Sequence, residues 1–148
     1  MTLEHLRSKL SAIEPDDSIY EGIGPSEIPL LEQLLKDKEA WMASRAIFAL
    51  SRVPDIRAVE ILSRTVDDPR QEVRVALAAS VSNLKPKDYK NILLKLLNDT
   101  ELGVRKFAIK TVSGVHDEMI HEKLRDIETQ DPLPSMRKLA KDKLREFE

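Results

Sequence analysis

The sequence predicts an all-α protein, a superhelix of four helix pairs preceded by an N-terminal capping helix. The main observation is an aspartate that recurs at intervals of 31, 31 and 32 residues, at Asp37, Asp68, Asp99 and Asp131. A fixed period of this size is typical of repeat proteins. The composition agrees, since 4 glycines and 4% aromatic residues are too few for the turns and strands of a β-sandwich or barrel.

Residues 1–24, the leader, precede the repeats and are predicted to cap the first of them. One face of a leader helix would carry Leu3, Leu6, Leu10 and Ile13. The proline and glycine residues of 14–25 then indicate a loop. A mobile arm that engages a partner is the alternative, because residues 1–35 contain 7 acidic residues against 2 basic ones.

Residues 25–148 divide into repeats, each with a first helix, a turn that contains the aspartate, and a second helix. The predicted repeats are 25–55, 56–86, 87–117 and 118–148. The aspartate is predicted to cap the second helix, with Pro69 and Pro132 at the first helical position. Apolar residues at offsets 0, 4, 8 and 11 form a stripe that should face the partner helix. The stripe comprises Met42, Ala46, Leu50 and Val53; Val73, Leu77, Val81 and Leu84; Val104, Ala108, Val112 and Val115; and Met136, Ala140, Leu144 and Phe147.

A second recurrent position carries arginine six residues after the aspartate, within the pairs "VR" and "MR". Helix pairs of this length with these residues resemble the HEAT-like repeats also seen in phycobilisome lyase subunits, over roughly residues 28–148. The resemblance implies a right-handed α-α superhelix, a concave binding face lined by the second helices, and an Asp–Arg ladder along the stack. Ala43 departs from this pattern in the first repeat. The resemblance implies a fold rather than one activity, because a fold hosts many functions.

The ladder has two possible directions. We predict that each arginine pairs with the aspartate of the preceding repeat, so that Ala43 lacks an arginine because no repeat precedes it. The predicted pairs are Arg74 with Asp37, Arg105 with Asp68, and Arg137 with Asp99. Pairing with the following repeat is the alternative that helix geometry leaves open. The ladder is expected to be structural, since helix caps and ion pairs are the usual roles of such spacing.

The residues opposite the stripe on the second helices are predicted to form the binding face. This face is apolar in the first two repeats and basic in the last two. It comprises Phe48, Val75, Ala79, Lys106, Lys110, Lys138 and Arg145. A protein partner with a hydrophobic anchor and acidic flanks would match it. The alternative is that the lysines only keep the surface soluble.

Trp41, the only tryptophan, is a possible binding hot spot together with Arg45. The two residues lie one helical turn apart and could form a cation–π pair. The interpretation that the sequence favours is instead that Trp41 is buried, because large aromatic side chains usually are. Its expected neighbours are Ile19, Tyr20 and Ile23 of the leader.

Few residues suggest chemistry. The chain has no cysteine, and it contains neither a glycine-rich phosphate loop nor a plausible serine–histidine pair. His116, His121 and Glu122 suggest a metal site, but histidines five residues apart do not align on one face of a helix. We therefore expect no catalytic, cofactor-binding or metal-binding residues, and a protein that is not an enzyme.

The sequence favours a cytoplasmic scaffold or adaptor, expected to be monomeric, that binds a protein or peptide of unknown identity. No apolar segment approaches the ~20 residues of a membrane span, and the N-terminus lacks the apolar core of a signal peptide. The formal net charge of −2 disfavours nucleic acid, although the basic C-terminal half leaves a phosphate or nucleic-acid binder as an alternative. An accessory subunit of a lyase-type enzyme is a further alternative, which the resemblance implies.

Overall fold

The computed structural model describes residues 1–12, 16–112 and 117–147. Within these ranges the chain has nine α-helices, three short 3₁₀ helices and no β-strand. The α-helices are α1 (Leu3–Leu10), α2 (Ile28–Leu35), α3 (Ala40–Leu50), α4 (Ile56–Thr65), α5 (Gln71–Ser80), α6 (Pro86–Leu97), α7 (Leu102–Thr111), α8 (Glu118–Gln130) and α9 (Pro134–Arg145). The 3₁₀ helices are Asp17–Tyr20, Pro25–Glu27 and Val81–Asn83. The all-α prediction is confirmed.

The helices form four pairs, α2 with α3, α4 with α5, α6 with α7 and α8 with α9. Helices α3, α5 and α7 pack on one another far more extensively than α2, α4 and α6 do. Because the second helices are closer together than the first helices, the array curves toward the second helices. This arrangement confirms the predicted superhelix of helix pairs.

Small residues allow the second helices to approach closely. Ala76 and Ala78 of α5 are almost fully buried. Gly103 of α7 lies against α5, so a Cβ atom there would be 3.3 Å from Gln71 Nε2 and 3.8 Å from Val75 Cγ2. The two helices are therefore in close contact at Gly103, where a Cβ atom would require the end of the Gln71 side chain to shift by a few tenths of an ångström.

The apolar stripe of the second helices forms the core. Its described members are buried except Leu144 and Phe147, which are half-buried; Val115 lies outside the described residues. The largest fully buried stripe residues are Met42, Leu50 and Leu77. A helix that buries one such stripe gains most of its stability from packing rather than from intrinsic propensity.

The recurrent aspartate closes a turn rather than capping the second helix. Helix α3 begins three residues after Asp37, and the Asp37 carboxylate accepts the N–H of Glu39 at 2.9 Å, just before the helix. Asp68, Asp99 and Asp131 accept the equivalent N–H groups. This is the Asx-turn geometry of a short polar side chain, so the capping prediction is wrong by a few residues.

The proline positions are also displaced from those predicted. Pro69 and Pro132 precede the second helices, because α5 begins at Gln71 and α9 begins at Pro134. Pro134 is the proline at a first helical position, where the missing N–H costs nothing. The Asx turn adds residues between the aspartate and the helix, and this moves the start of each helix toward the C-terminus.

The leader packs against the first repeat. Leu6 and Leu10 of α1 are completely buried. The Arg45 guanidinium donates to the carbonyl oxygens of Leu10 and Ala12 at 2.6 and 2.5 Å, where α1 ends. Cations stabilise the carbonyl end of a helix. These contacts support the proposal that residues 1–24 form a cap over the first repeat. Ile13 lies outside the described residues.

In the described part of the chain, no helix has both the length and the apolar character that crossing a membrane requires.

Candidate binding surface on the second helices

The seven residues predicted to bind a partner all lie on the second helices α3, α5, α7 and α9. They are called the inner face below. Phe48, Val75 and Ala79 are half-buried, and the first two pack partly against the core. The four basic residues are all exposed: Lys106, Lys110, Lys138 and Arg145. The apolar half of the inner face is therefore partly covered by its neighbours, while the basic half projects into solvent.

The basic half is not uniformly available. Lys138 and Arg145 flank Asp142 on α9, with Nζ–Oδ2 and Nη1–Oδ1 distances of 3.2 and 4.0 Å. Lys106 and Lys110 make no ion pair with any described residue. The least compensated positive charge on the inner face is therefore on α7.

Phe107 is an exposed aromatic residue that the predicted binding face omits. Its side chain is 40% exposed, and Lys110 Nζ lies 5.8 Å from the centroid of its ring. Gly103, one turn earlier on the same ridge of α7, lies against α5. The corresponding residue of α5 is the buried Ala76. A phenylalanine at a position that holds a small residue in the preceding repeat was therefore the signal in the sequence that this side chain is exposed.

Trp41 is 47% exposed, so the prediction that it is buried is wrong. The Arg45 guanidinium lies 5.4 Å from the centroid of its ring, which is the cation–π pair given above as the alternative. Tyr20 of the leader instead stacks on Arg52, 4.6 Å from ring centroid to guanidinium. Arg52 follows the C-terminal end of α3 whereas Trp41 is at its start, about 16 Å away at 1.5 Å per residue. The leader loop therefore packs near the C-terminal end of α3 and does not cover Trp41 at the N-terminal end.

The ladder runs in the direction opposite to that predicted. Arg74 pairs with Asp99 (Nε–Oδ2 2.8 Å), and Arg105 pairs with Asp131 (Nε–Oδ2 3.3 Å). The recurrent arginines Arg74, Arg105 and Arg137 each also donate to the carbonyl oxygen of the aspartate in their own turn, as Arg74 does to Asp68 at 2.8 Å. This hydrogen bond holds the guanidinium beside its own turn, where the aspartate of the following repeat reaches it.

The first two aspartates have other partners. Asp37 pairs with Arg7 of α1, and this guanidinium lowers the pKa of the Asp37 carboxyl, with help from the N–H of Glu39. Asp68 pairs with Arg70, two residues later, at 3.1 Å. Thus the ladder contains both kinds of contact, within a repeat and between repeats. Arg137 makes no ion pair among the described residues and donates to Asp131 O at 2.6 Å.

The described residues contain no cluster of three or more histidine, cysteine, aspartate or glutamate side chains that could hold a metal ion. Of the histidines considered above, His121 packs against Phe147 in a tilted arrangement, with 4.5 Å between ring centroids. His116 lies outside the described residues.

Neither the known protein families nor the curated proteins include a match to this chain. A designed armadillo repeat protein, solved in complex with the peptide (KR)4, matches 99% of this chain and 82% of its own at 18% identity and a TM-score of 0.54. A second designed armadillo repeat protein matches 99% of this chain and all of its own at 17% identity, with a TM-score of only 0.29. The first likeness shows a helical-repeat superhelix and does not confirm the resemblance to phycobilisome lyase subunits.

Proposed function

We propose that this protein is a non-enzymatic scaffold that binds a protein or peptide on its second helices. The observation that carries the proposal is the pair of solvent-exposed aromatic residues, Trp41 and Phe107, at two positions of the same ridge of the repeat. Each ring lies beside a cation, Arg45 or Lys110. Aromatic residues and arginine dominate the energetics of protein interfaces.

Half-buried apolar residues of α3 and α5 extend the same surface. Phe48 and Val75 leave part of their side chains in solvent on α3 and α5. Side chains from successive second helices can then contact one extended ligand, which is how solenoid proteins bind. The peptide bound to the similar designed protein supports a ligand of this kind.

The test is a selection of peptides from a display library, followed by fluorescence anisotropy on the peptides obtained. Replacing both Trp41 and Phe107 with serine should weaken binding by about tenfold or more, because two desolvated anchors are removed. The matched control replaces Ile56 and Met119, which are 63% and 56% exposed on α4 and α8, with serine. The control should change the dissociation constant by less than about twofold.

Two outcomes would contradict the proposal. One is loss of binding in the Ile56 and Met119 variant while the Trp41 and Phe107 variant binds normally, which would place the surface on the first helices. The other is a selection that returns no peptide with measurable affinity.

A further inference from the structure

On the basis of the proposed function, we infer that the partner is an extended acidic segment with an apolar side chain near one end. Positive charge accumulates along the second helices toward the C-terminus, although the whole chain has a formal charge of −2. Helix α7 carries three basic residues and no acidic one, and α9 carries five basic residues and one acidic one. The inner face thus has a sign opposite to that of the molecule.

The lysines of α7 are the part of the inner face best suited to bind an anionic group of a partner. Lys106 and Lys110 are exposed and lie one turn apart on the same helix face. Like charges at this spacing repel each other and destabilise a helix. No carboxylate of a described residue lies within 4 Å of either lysine, whereas Arg105 on the same helix is paired with Asp131. A carboxylate from a partner would relieve this repulsion.

The apolar contacts determine where the anchor of the segment would bind. Lys110 lies over the ring of Phe107, and the ridge of α7 that carries Phe107 runs along Val75 of α5. Phe48 is on the next second helix, α3. A segment with carboxylates on α7 and α9 would therefore carry its apolar side chain on the part that crosses α3 and α5.

Helix spacing indicates how the acidic residues would be arranged. Packed helices lie about 8–10 Å apart, and an extended chain advances about 3.3 Å per residue. Successive second helices would thus meet about every third residue of a segment that crosses them. The peptide (KR)4 of the similar designed protein is basic, whereas the exposed lysines of α7 would repel a basic peptide here.

A peptide fits these observations better than a nucleic acid does. Asp142 lies between Lys138 and Arg145 on α9, within 3.2 and 4.0 Å of them. This carboxylate would repel a continuous phosphate backbone, whereas a peptide can place a neutral residue opposite it.

The experiment measures fluorescence anisotropy with the full chain and three labelled probes. The probes are the peptide (ED)4 with one phenylalanine at an end, the peptide (KR)4 with the same phenylalanine, and an oligothymidylate of equal charge to the first peptide. We expect binding of the acidic peptide alone, weakening as salt is added because exposed charges are screened.

Charge variants test the site itself. Replacing Lys106 and Lys110 with glutamate should weaken binding of the acidic peptide about tenfold or more, and replacement with glutamine should weaken it less. The matched control changes Lys87 and Lys95 of α6, both exposed, to glutamate and so alters the net charge equally. The control should bind within about twofold of the parent, and thermal melts should show that all variants fold.

The outcomes separate the inference from the proposed function. Binding of the basic peptide in a manner that depends on Trp41 and Phe107 would overturn the acidic partner and support the scaffold. Tighter binding of oligothymidylate, lost with Lys106 and Lys110, would overturn the inference in favour of a nucleic-acid binder. Equal loss of acidic-peptide binding in the Lys87 and Lys95 control would show that only net charge matters, and would also overturn it.

Discussion

Arg74 and Asp99 join consecutive repeats through a mostly buried ion pair. Arg74 Nε lies 2.8 Å from Asp99 Oδ2, and the two side chains are only 13% and 9% exposed. The same guanidinium donates to the carbonyl oxygen of Asp68 at 2.8 Å. One arginine therefore fastens the turn of the second repeat to the turn of the third.

Replacing Arg74 with alanine should lower the free energy of unfolding by about 2–4 kcal/mol, because Asp99 would keep a buried charge without its cation. The comparison is Arg64→Ala, which removes an exposed pair with Glu32 at 69% and 43% exposure. That change should cost less than about 1 kcal/mol. Urea denaturation measures both, and equal losses would mean that the ladder does not hold the repeats together.

The direction of this pair could not be deduced from the sequence. The period of the aspartates and the stripe of apolar residues were sufficient to predict the helix pairs and the core, because buried positions recur with the helical period. Helix geometry, however, lets Arg74 reach either neighbouring turn. Which turn Arg74 reaches depends on its hydrogen bond to Asp68 O. Every residue has a backbone carbonyl, so this acceptor cannot be identified from residue types.

The binding surface was predicted only in part, for a similar reason. The sequence distinguishes the core side of a helix from the opposite side, but exposure at the edges depends on what the neighbouring segments cover. The leader loop stacks at Arg52 and leaves Trp41 in solvent. Phe107 is exposed at a position where its counterpart in α5 is buried.

The pair between Arg7 and Asp37 predicts a pH dependence. The Arg7 guanidinium, followed by the N–H of Glu39, holds the pKa of Asp37 below its usual value. Since the folded pKa is lower than the unfolded one, about 3.9, the pair stabilises the fold above about pH 4. This contribution is lost as the pH falls through the folded pKa.

The Arg7→Gln variant should therefore raise the pKa of Asp37 toward its ordinary value, as measured by carbon NMR of its carboxyl group. Its stability should also fall less steeply than that of the parent below about pH 4. Lys9→Gln removes the same charge from α1 without removing the partner of Asp37 and should leave this pKa nearly unchanged. An unchanged Asp37 pKa in the Arg7 variant would show that the pair does not form in solution.

The leader is predicted to contribute to stability. Leu6→Ala should cost about 2–4 kcal/mol, because the side chain is completely buried between α1 and the first repeat. His5→Ala, at an exposed position on the same helix, should cost less than about 0.5 kcal/mol.

Deleting residues 1–24 should lower the melting temperature and promote aggregation, since it uncovers apolar surface. A truncated protein that stays monomeric and melts like the parent would favour the mobile arm.

Arg70 performs the role that the absent arginine at position 43 would have had. Ala43 occupies the position that Arg74 and Arg105 hold in later repeats, and it is completely buried. Asp68 does not need an arginine from the first repeat, because Arg70 pairs with it. The Arg70 guanidinium also donates to the carbonyl oxygens of Leu35, the last residue of α2, and of Asp37, two residues later, at 2.6 and 2.7 Å.

Arg57 offers a matched comparison that isolates these bonds between repeats. Its backbone N–H and its guanidinium contact Asp55 as those of Arg70 contact Asp68, two residues apart in both cases. Only Arg70 adds bonds to carbonyl oxygens of the preceding repeat. Arg70→Ala should therefore lower the free energy of unfolding by about 2–3 kcal/mol, as expected for lost hydrogen bonds to a charged group.

Arg57→Ala should cost a small fraction of that, because the Arg57 side chain is 56% exposed, against 27% for Arg70. Urea denaturation of both variants gives the difference, which measures how strongly Arg70 joins the first repeat to the second. Similar losses in the two variants would assign the effect of Arg70 to its local pair with Asp68. The junction between these repeats would then depend mainly on apolar packing, above all between α3 and α5.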